Sequence, residues 1–140
     1  MILDASALLA ILLGEPEADE MAGAIATADI IRLSAATCLE TAIIVDSSRT
    51  PTLTDEFDSV LSDEGIQIEA VSVEQALIAR SAYRRFGKGS GHPARLNFGE
   101  CFAYALAKAR HEPLLFKGND FAQTDIEPAL KPEQPPASRV

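Results

Sequence analysis

MILDASALLAILLG, residues 1–14, decides the fold. Its apolar start closes on Asp4, as a short buried strand would, and ASALLAILLG then reads as a helix that Gly14 stops. Strand and helix candidates go on alternating down the chain. Pro16 is placed to open a second helix through about Thr27, DIIRLS (29–34) is a strand candidate, and ATCLETAIIVDSS (36–48) has helical spacing. A loop at 49–53 surrounds Pro51, and Thr54 is predicted to cap a helix through Asp63 that Gly65 ends. IQIEAV (66–71) alternates like a strand, and Ser72 with Gln75 forms a capping signature for a helix through about Phe86. After the glycine-rich loop GKGSGHPARL (87–96), Asn97 caps NFGECFAYALAKARHE as a helix. PLLFK (113–117) is a buried strand, GNDF a turn, and residues 125–127 a further strand candidate. Strands alternating with helices predict an α/β fold, a central parallel sheet flanked by helices on both faces.

With 140 residues, 47% of them hydrophobic, the chain has enough for one core and too little for two. We therefore expect one domain over residues 1–127, followed by a Pro-rich polar tail, 128–140, that is disordered. Cys38 and Cys101 have neither metal-ligand spacing nor the number for a disulfide framework; they read as buried hydrophobes in a reducing cytoplasm. The opening segment lacks a basic leader and is too short to span a bilayer, so no membrane or export role is expected.

The net charge of −9 argues at first against a nucleic-acid partner. Its distribution argues otherwise. No acid lies between Glu74 and Glu100, whereas Arg80, Arg84, Arg85, Lys88 and Arg95 do, so that segment carries +5 and the rest −14. Such a run can be a solvated helix face. Because it leads into the acid at Glu100, we read Arg84, Arg85, Lys88 and Arg95 as a phosphate-binding approach to a metal site.

Four acids sit where a carboxylate is costly: Asp4 at a strand end, Glu40 and Glu100 on helices, and Asp120 after the last strand. An ionised carboxylate among apolar neighbours is unfavourable unless something compensates it. A shared cation would do so, and oxygen-only ligands point to Mg²⁺, with Mn²⁺ as the alternative. In a parallel sheet the crevice lies beyond the carboxyl ends of the strands, where Asp4 and Asp120 fall. Ala36, Glu40, Ile43 and Ile44 share a helix face; a stripe packed on the sheet would aim Glu40 inward. Three of the acids also have ordinary roles open to them: Asp4 as an N-cap, Glu100 as the reciprocal half of the Asn97 cap, Asp120 as a turn residue. Ser6 can support a ligand carboxylate by hydrogen bonding, as can Asn119, or be a plain first-turn serine. His92 and His111 lie outside any metal-binding spacing. Tyr83, Phe86, Phe98 and Tyr104 read as core, with base stacking as the alternative.

MILDASALLAILLGEPEA, LETAIIV and LNFGECFAYALAKARHEPLLFKGNDFAQTDI in this order resemble the successive motifs of the PIN-domain ribonucleases, specifically the VapC toxins of bacterial toxin–antitoxin pairs. The resemblance runs from Met1 to about Ile126. It implies a PIN-like parallel α/β fold, divalent-metal-dependent RNA cleavage, a cognate VapB-type antitoxin, and a homodimer that assembles further with it. The apolar helices near the N-terminus suit such a dimer, or the core. By the same resemblance Asp4, Glu40 and Glu100 correspond to the first three acidic ligands and Asp120 to the acid after the last motif strand. Two positions depart from the family pattern. Relatives usually have aspartate where Glu100 stands, and glutamate adds a methylene, about 1.5 Å of reach. Many also carry an acid two positions before the Asp-Phe pair, where this chain has Gly118.

The expected activity is therefore that of a metal-dependent endoribonuclease toxin. The alternatives are an RNA- or protein-binding module with little or no cleavage, and a phosphohydrolase using Asp4 as nucleophile. The second alternative commonly wants another aspartate where this chain has Ser6.

Overall fold

The computed structural model describes residues 1–131. Four short strands, β1 (Ile2–Leu3), β2 (Arg32–Ser34), β3 (Gln67–Glu69) and β4 (Leu114–Leu115), form one sheet in the order β3-β2-β1-β4. Every pairing is parallel. Six helices surround it: α1 (Ala5–Leu12), α2 (Ala18–Thr27), α3 (Ala35–Ser47), α4 (Pro51–Asp63), α5 (Val73–Phe86) and α6 (Phe98–Arg110).

Strand alternation builds the two layers. Successive side chains point to opposite faces, so Ile2 and Leu114 enter one core cluster with α5 and α6, while Leu3 and Leu115 enter the other with residues of α1 to α4. This is why both strands are continuously apolar rather than alternating. The chain leaves β1 for β2 on one side and later returns to place β4 on the other. That reversal makes the carboxyl end of β1 the switch point, where a crevice opens. Ion pairs tie β2 and β3 to the end of α6 and the residue that leads into β4: Arg32 contacts Glu69 at 2.7 Å and Glu112 at 3.0 Å, and Arg110 contacts Glu69 at 2.8 Å.

Several expectations are corrected. α4 starts at Pro51, which takes the first helical position behind Thr50. Thr54 thus lies inside the helix, where its hydroxyl donates to Asp46 at 3.3 Å, instead of capping it. Residues 125–127 are not a strand. Leu114 N donates to Glu127 O at 2.9 Å and Ala129 N to Leu114 O at 2.8 Å, a single bridge centred on Pro128. Ala129 and Leu130 pack on the α1–α4 layer, so the first residues of the expected tail are held against β4; residues 132–140 lie outside the described residues.

The largest correction concerns α3. Its buried face is Thr37, Thr41 and Val45, while Ile43 is 56% exposed and Leu39 and Ile44 are exposed beside it. Thr41 tolerates burial because its hydroxyl donates to Thr37 O at 2.9 Å within the helix. The apolar stripe that carries Glu40 therefore faces an open groove with Phe98 and Phe102, not the sheet.

Candidate functional site

Asp4 holds the switch point. It follows β1, its backbone N–H donates to Leu115 O at 3.0 Å, and its side chain caps α1. The cap role and a site role coexist because the carboxylate divides its oxygens. Oδ2 accepts from Ser6 N at 3.0 Å and from Ser6 Oγ at 2.6 Å. Ser6 Oγ in turn accepts from Lys117 N at 3.0 Å, so the loop after β4 braces the same carboxylate. Oδ1 is buried and has no hydrogen-bond partner.

The other three acids reach this rim from separate elements. Glu40 lies in the second turn of α3, half-buried. Glu100 occupies the third position of α6 in a reciprocal cap: Glu100 N donates to Asn97 Oδ1 at 2.9 Å, and Asn97 N donates to Glu100 Oε1 at 3.2 Å. The capping role is thus real and spends one oxygen only. Asp120, exposed, precedes the 3-10 turn Phe121–Gln123 that follows β4.

Their charges act on one another. Burial raises the Asp4 carboxyl above its ordinary range, against the hydrogen bonds from Ser6, and the charge of Asp120 adds to the rise. Burial and then Asp4 raise Glu40. Glu100 is pushed up to about 7, chiefly by burial, with Asp120 and Asp4 adding to it. Like charges brought together in a half-dry site resist joint ionisation. Among the described residues, no three His, Cys, Asp or Glu side chains are already gathered as tightly as ion ligands are. The donor set nonetheless fits a hard divalent cation: oxygen only, with an unpartnered buried oxygen on Asp4 at its centre.

Asn119 is not brought into this set. It is exposed and lines a groove with Glu17, Phe116 and Lys117. Arg84, Arg85, Lys88 and Arg95 are all exposed. Arg84 flanks a groove between α5 and α6 with Arg80, Tyr83, Phe98 and Phe102. Phe98 and Phe102 also line the groove that contains Glu40 and Gly99, so the groove flanked by Arg80 and Arg84 and the one that holds Glu40 share these two rings. Arg85 is partly engaged, 3.7 Å from Asp125 and over the Phe86 ring. Phe86 and Tyr104 are core as expected, whereas Tyr83 and Phe98 are exposed, Phe98 at 76%. Sequence reasoning missed two residues at the rim. Lys117 braces Ser6 through its backbone, with its ammonium held by Glu15 and Glu17. Gly99 lies directly against the Glu40 carboxylate.

A parallel sheet covered on both faces, with the buried Asp4 at the switch point and the charges of Glu40, Glu100 and Asp120 acting on one another or on it, defines an α/β protein with an acidic rim at the carboxyl end of β1. The PIN domain family profile matches residues 1–127. The chain is 51% identical over 130 residues to the VapC ribonuclease Mb0625 of Mycobacterium bovis and to Ribonuclease VapC28 of Mycobacterium tuberculosis, covering 93% of this chain and 98% of each relative. It is 46% identical over 129 residues to Ribonuclease VapC42 of M. tuberculosis, covering 92% and 98%. Among solved structures, M. tuberculosis VapC20, described as a toxin that cleaves the sarcin-ricin loop, superposes with a TM-score of 0.73 at 15% identity, over 94% of this chain and 98% of that one. This last likeness is one of fold. The chain belongs to the PIN-domain family, as a VapC-type member.

Proposed function

We propose that this chain is the ribonuclease toxin of a VapB–VapC type pair, hydrolysing RNA phosphodiester bonds with Mg²⁺ or Mn²⁺ held by Asp4, Glu40, Glu100 and Asp120. The observation that carries the reading is Asp4 Oδ1, buried and unpartnered among three other acids. A divalent cation there would supply charge neutralisation for the phosphate and activate water for attack. The chain's own groups do the rest. Ser6 fixes Asp4 in one orientation, so its free oxygen points consistently. Glu100 keeps one oxygen on Asn97 N, which anchors the side chain for whatever the other binds. Arg84, Lys88 and Arg95 hold the RNA backbone.

The relatives' VapC names support two partners: RNA as substrate and a VapB-type antitoxin. For the homodimer, the exposed apolar residues Leu39, Ile43 and Ile44 of α3 with Phe98 offer a self-complementary face. We propose that face, in place of the N-terminal helices, as the dimer's site. Among the described residues, no helix is long and apolar enough to cross a membrane; the cytoplasm is the location proposed for the toxin.

The test is cleavage of single-stranded RNA across a Mg²⁺ and Mn²⁺ titration after EDTA treatment. Metal-dependent strand scission supports the reading. RNA binding without scission at any metal concentration indicates the non-cleaving module, and hydrolysis of phosphomonoesters with RNA left intact indicates the Asp4-nucleophile enzyme.

A further inference from the structure

Gly99 is the second residue of α6, between Phe98 and Glu100. Glycine is the poorest helix former after proline, and Gly99 is not among the glycines with positive φ, so backbone geometry does not demand it. What occupies the missing side chain's place is Glu40. A Cβ built on Gly99 would overlap Glu40 Oε2 and lie 2.6 Å from its Cδ and 2.9 Å from its Oε1; these are the three nearest atoms. Carbon and oxygen cannot approach so closely, so a residue with a Cβ and the present Glu40 position exclude each other.

We propose that Gly99 is a positioning residue for Glu40: the gap it leaves in the first turn of α6 seats the Glu40 carboxylate against that helix and within reach of Asp4. The inference rests on the reading of Glu40 as a metal ligand. An alanine at 99 would push the carboxylate into the open groove lined by Leu39, Ile43 and Phe102. The displaced atoms are the end of a flexible side chain, and alanine favours the helix. Gly99→Ala should therefore leave the fold intact while spoiling the site, so that stability and metal affinity move in opposite directions.

The experiment compares the full-length wild type, Gly99→Ala, Glu40→Ala and the double variant. Thermal midpoints are measured in EDTA, and Mn²⁺ affinity is taken from the dependence of the midpoint on Mn²⁺ concentration. Gly99→Ala is expected to melt at or above the wild-type midpoint in EDTA and to bind Mn²⁺ about 10- to 100-fold more weakly, the range for residues that orient ligands. The double variant should bind no more weakly than Glu40→Ala alone, and RNA cleavage should fall in parallel with Mn²⁺ affinity. Wild-type Mn²⁺ affinity in Gly99→Ala, with Glu40→Ala impaired, overturns the positioning role and spares the metal site. An equal loss on adding Gly99→Ala to Glu40→Ala also overturns it, because Gly99 would then act independently of Glu40. A lowered midpoint in EDTA does the same. Wild-type affinity in Glu40→Ala removes Glu40 from the ligand set and this inference with it.

Discussion

Replacing Glu100 by glutamine should stabilise the cation-free protein at alkaline pH while abolishing metal-supported cleavage. The carboxyl of Glu100 rises from 4.5 to about 7 because it is half-buried beside Asp120 and Asp4. The folded state therefore binds a proton more tightly than the unfolded chain does. The stabilisation this gives is complete below about pH 4.5 and is lost as pH rises through about 7. A rise of about two and a half pH units is worth at most about 3 kcal/mol, and solvent screening of a half-exposed group reduces this to about 1–2 kcal/mol. Glutamine mimics the protonated acid and can still complete the cap with Asn97. In a domain of this size that amounts to a rise of about 3–8 °C in thermal midpoint near pH 8. The assay is thermal unfolding of both proteins in EDTA from pH 5 to 8.5. The difference should be small at pH 5 and grow through pH 7. A difference independent of pH, or a variant less stable at pH 8, would refute the electrostatic reasoning and leave Glu100 as a capping residue alone.

Asp4→Asn retains an N-cap side chain, so it should fold with undiminished stability in EDTA yet lose cleavage by more than the about 10- to 100-fold typical of residues that merely orient a ligand; circular dichroism and an RNA assay check both halves. Glu100→Asp shortens the side chain, and since Mg²⁺ tolerates misplaced ligands poorly, the ratio of Mg²⁺- to Mn²⁺-supported rates should rise; an unchanged ratio would mean that Glu100 does not ligate. In an Asp4→Asn background that cannot cut, neutralising Arg84, Lys88 or Arg95 should each lower the slope of log K against log salt by about 0.7–0.9 in magnitude. Arg85, partly held by Asp125, should contribute less, and equal slopes throughout would make the segment a plain solvated surface.

The layer order was legible because it rests on local signals that survive tertiary packing. Asp4 closes an apolar strand, Ser72 and Asn97 cap helices as their spacing predicts, and the two-residue strands β1 and β4 are apolar on both faces because both are covered. The face of α3 was not legible. Periodicity reports which residues share a side but not which side meets the sheet, and here Thr37 and Thr41 are buried, Thr41 with its hydroxyl bonded within the helix, while isoleucines face the groove. The start of α4 lies before the expected Thr54 because the first helical turn accommodates proline, so Pro51 opens the helix and does not mark a loop. Gly99 left a faint trace, a poor helix former in a first turn with no bend to explain it. Its meaning depends on Glu40, 59 positions away in sequence, which only the packing of α3 on α6 reveals. The brace from Lys117 to Ser6 is a backbone hydrogen bond and has no side-chain signature at all.

The central claim is that four acids distant in sequence hold one kind of divalent cation. It is tested most directly by adding substoichiometric Mn²⁺ to isotope-labelled protein and reading paramagnetic line broadening residue by residue. The account predicts that the amide signals of Ser6, Gly99, Glu100 and Phe121 broaden first, and that Asp4→Asn abolishes the effect. Broadening centred on Glu15, Glu17 and Glu20, or on Glu69 and Glu112, with Ser6 and Gly99 left sharp, would contradict it.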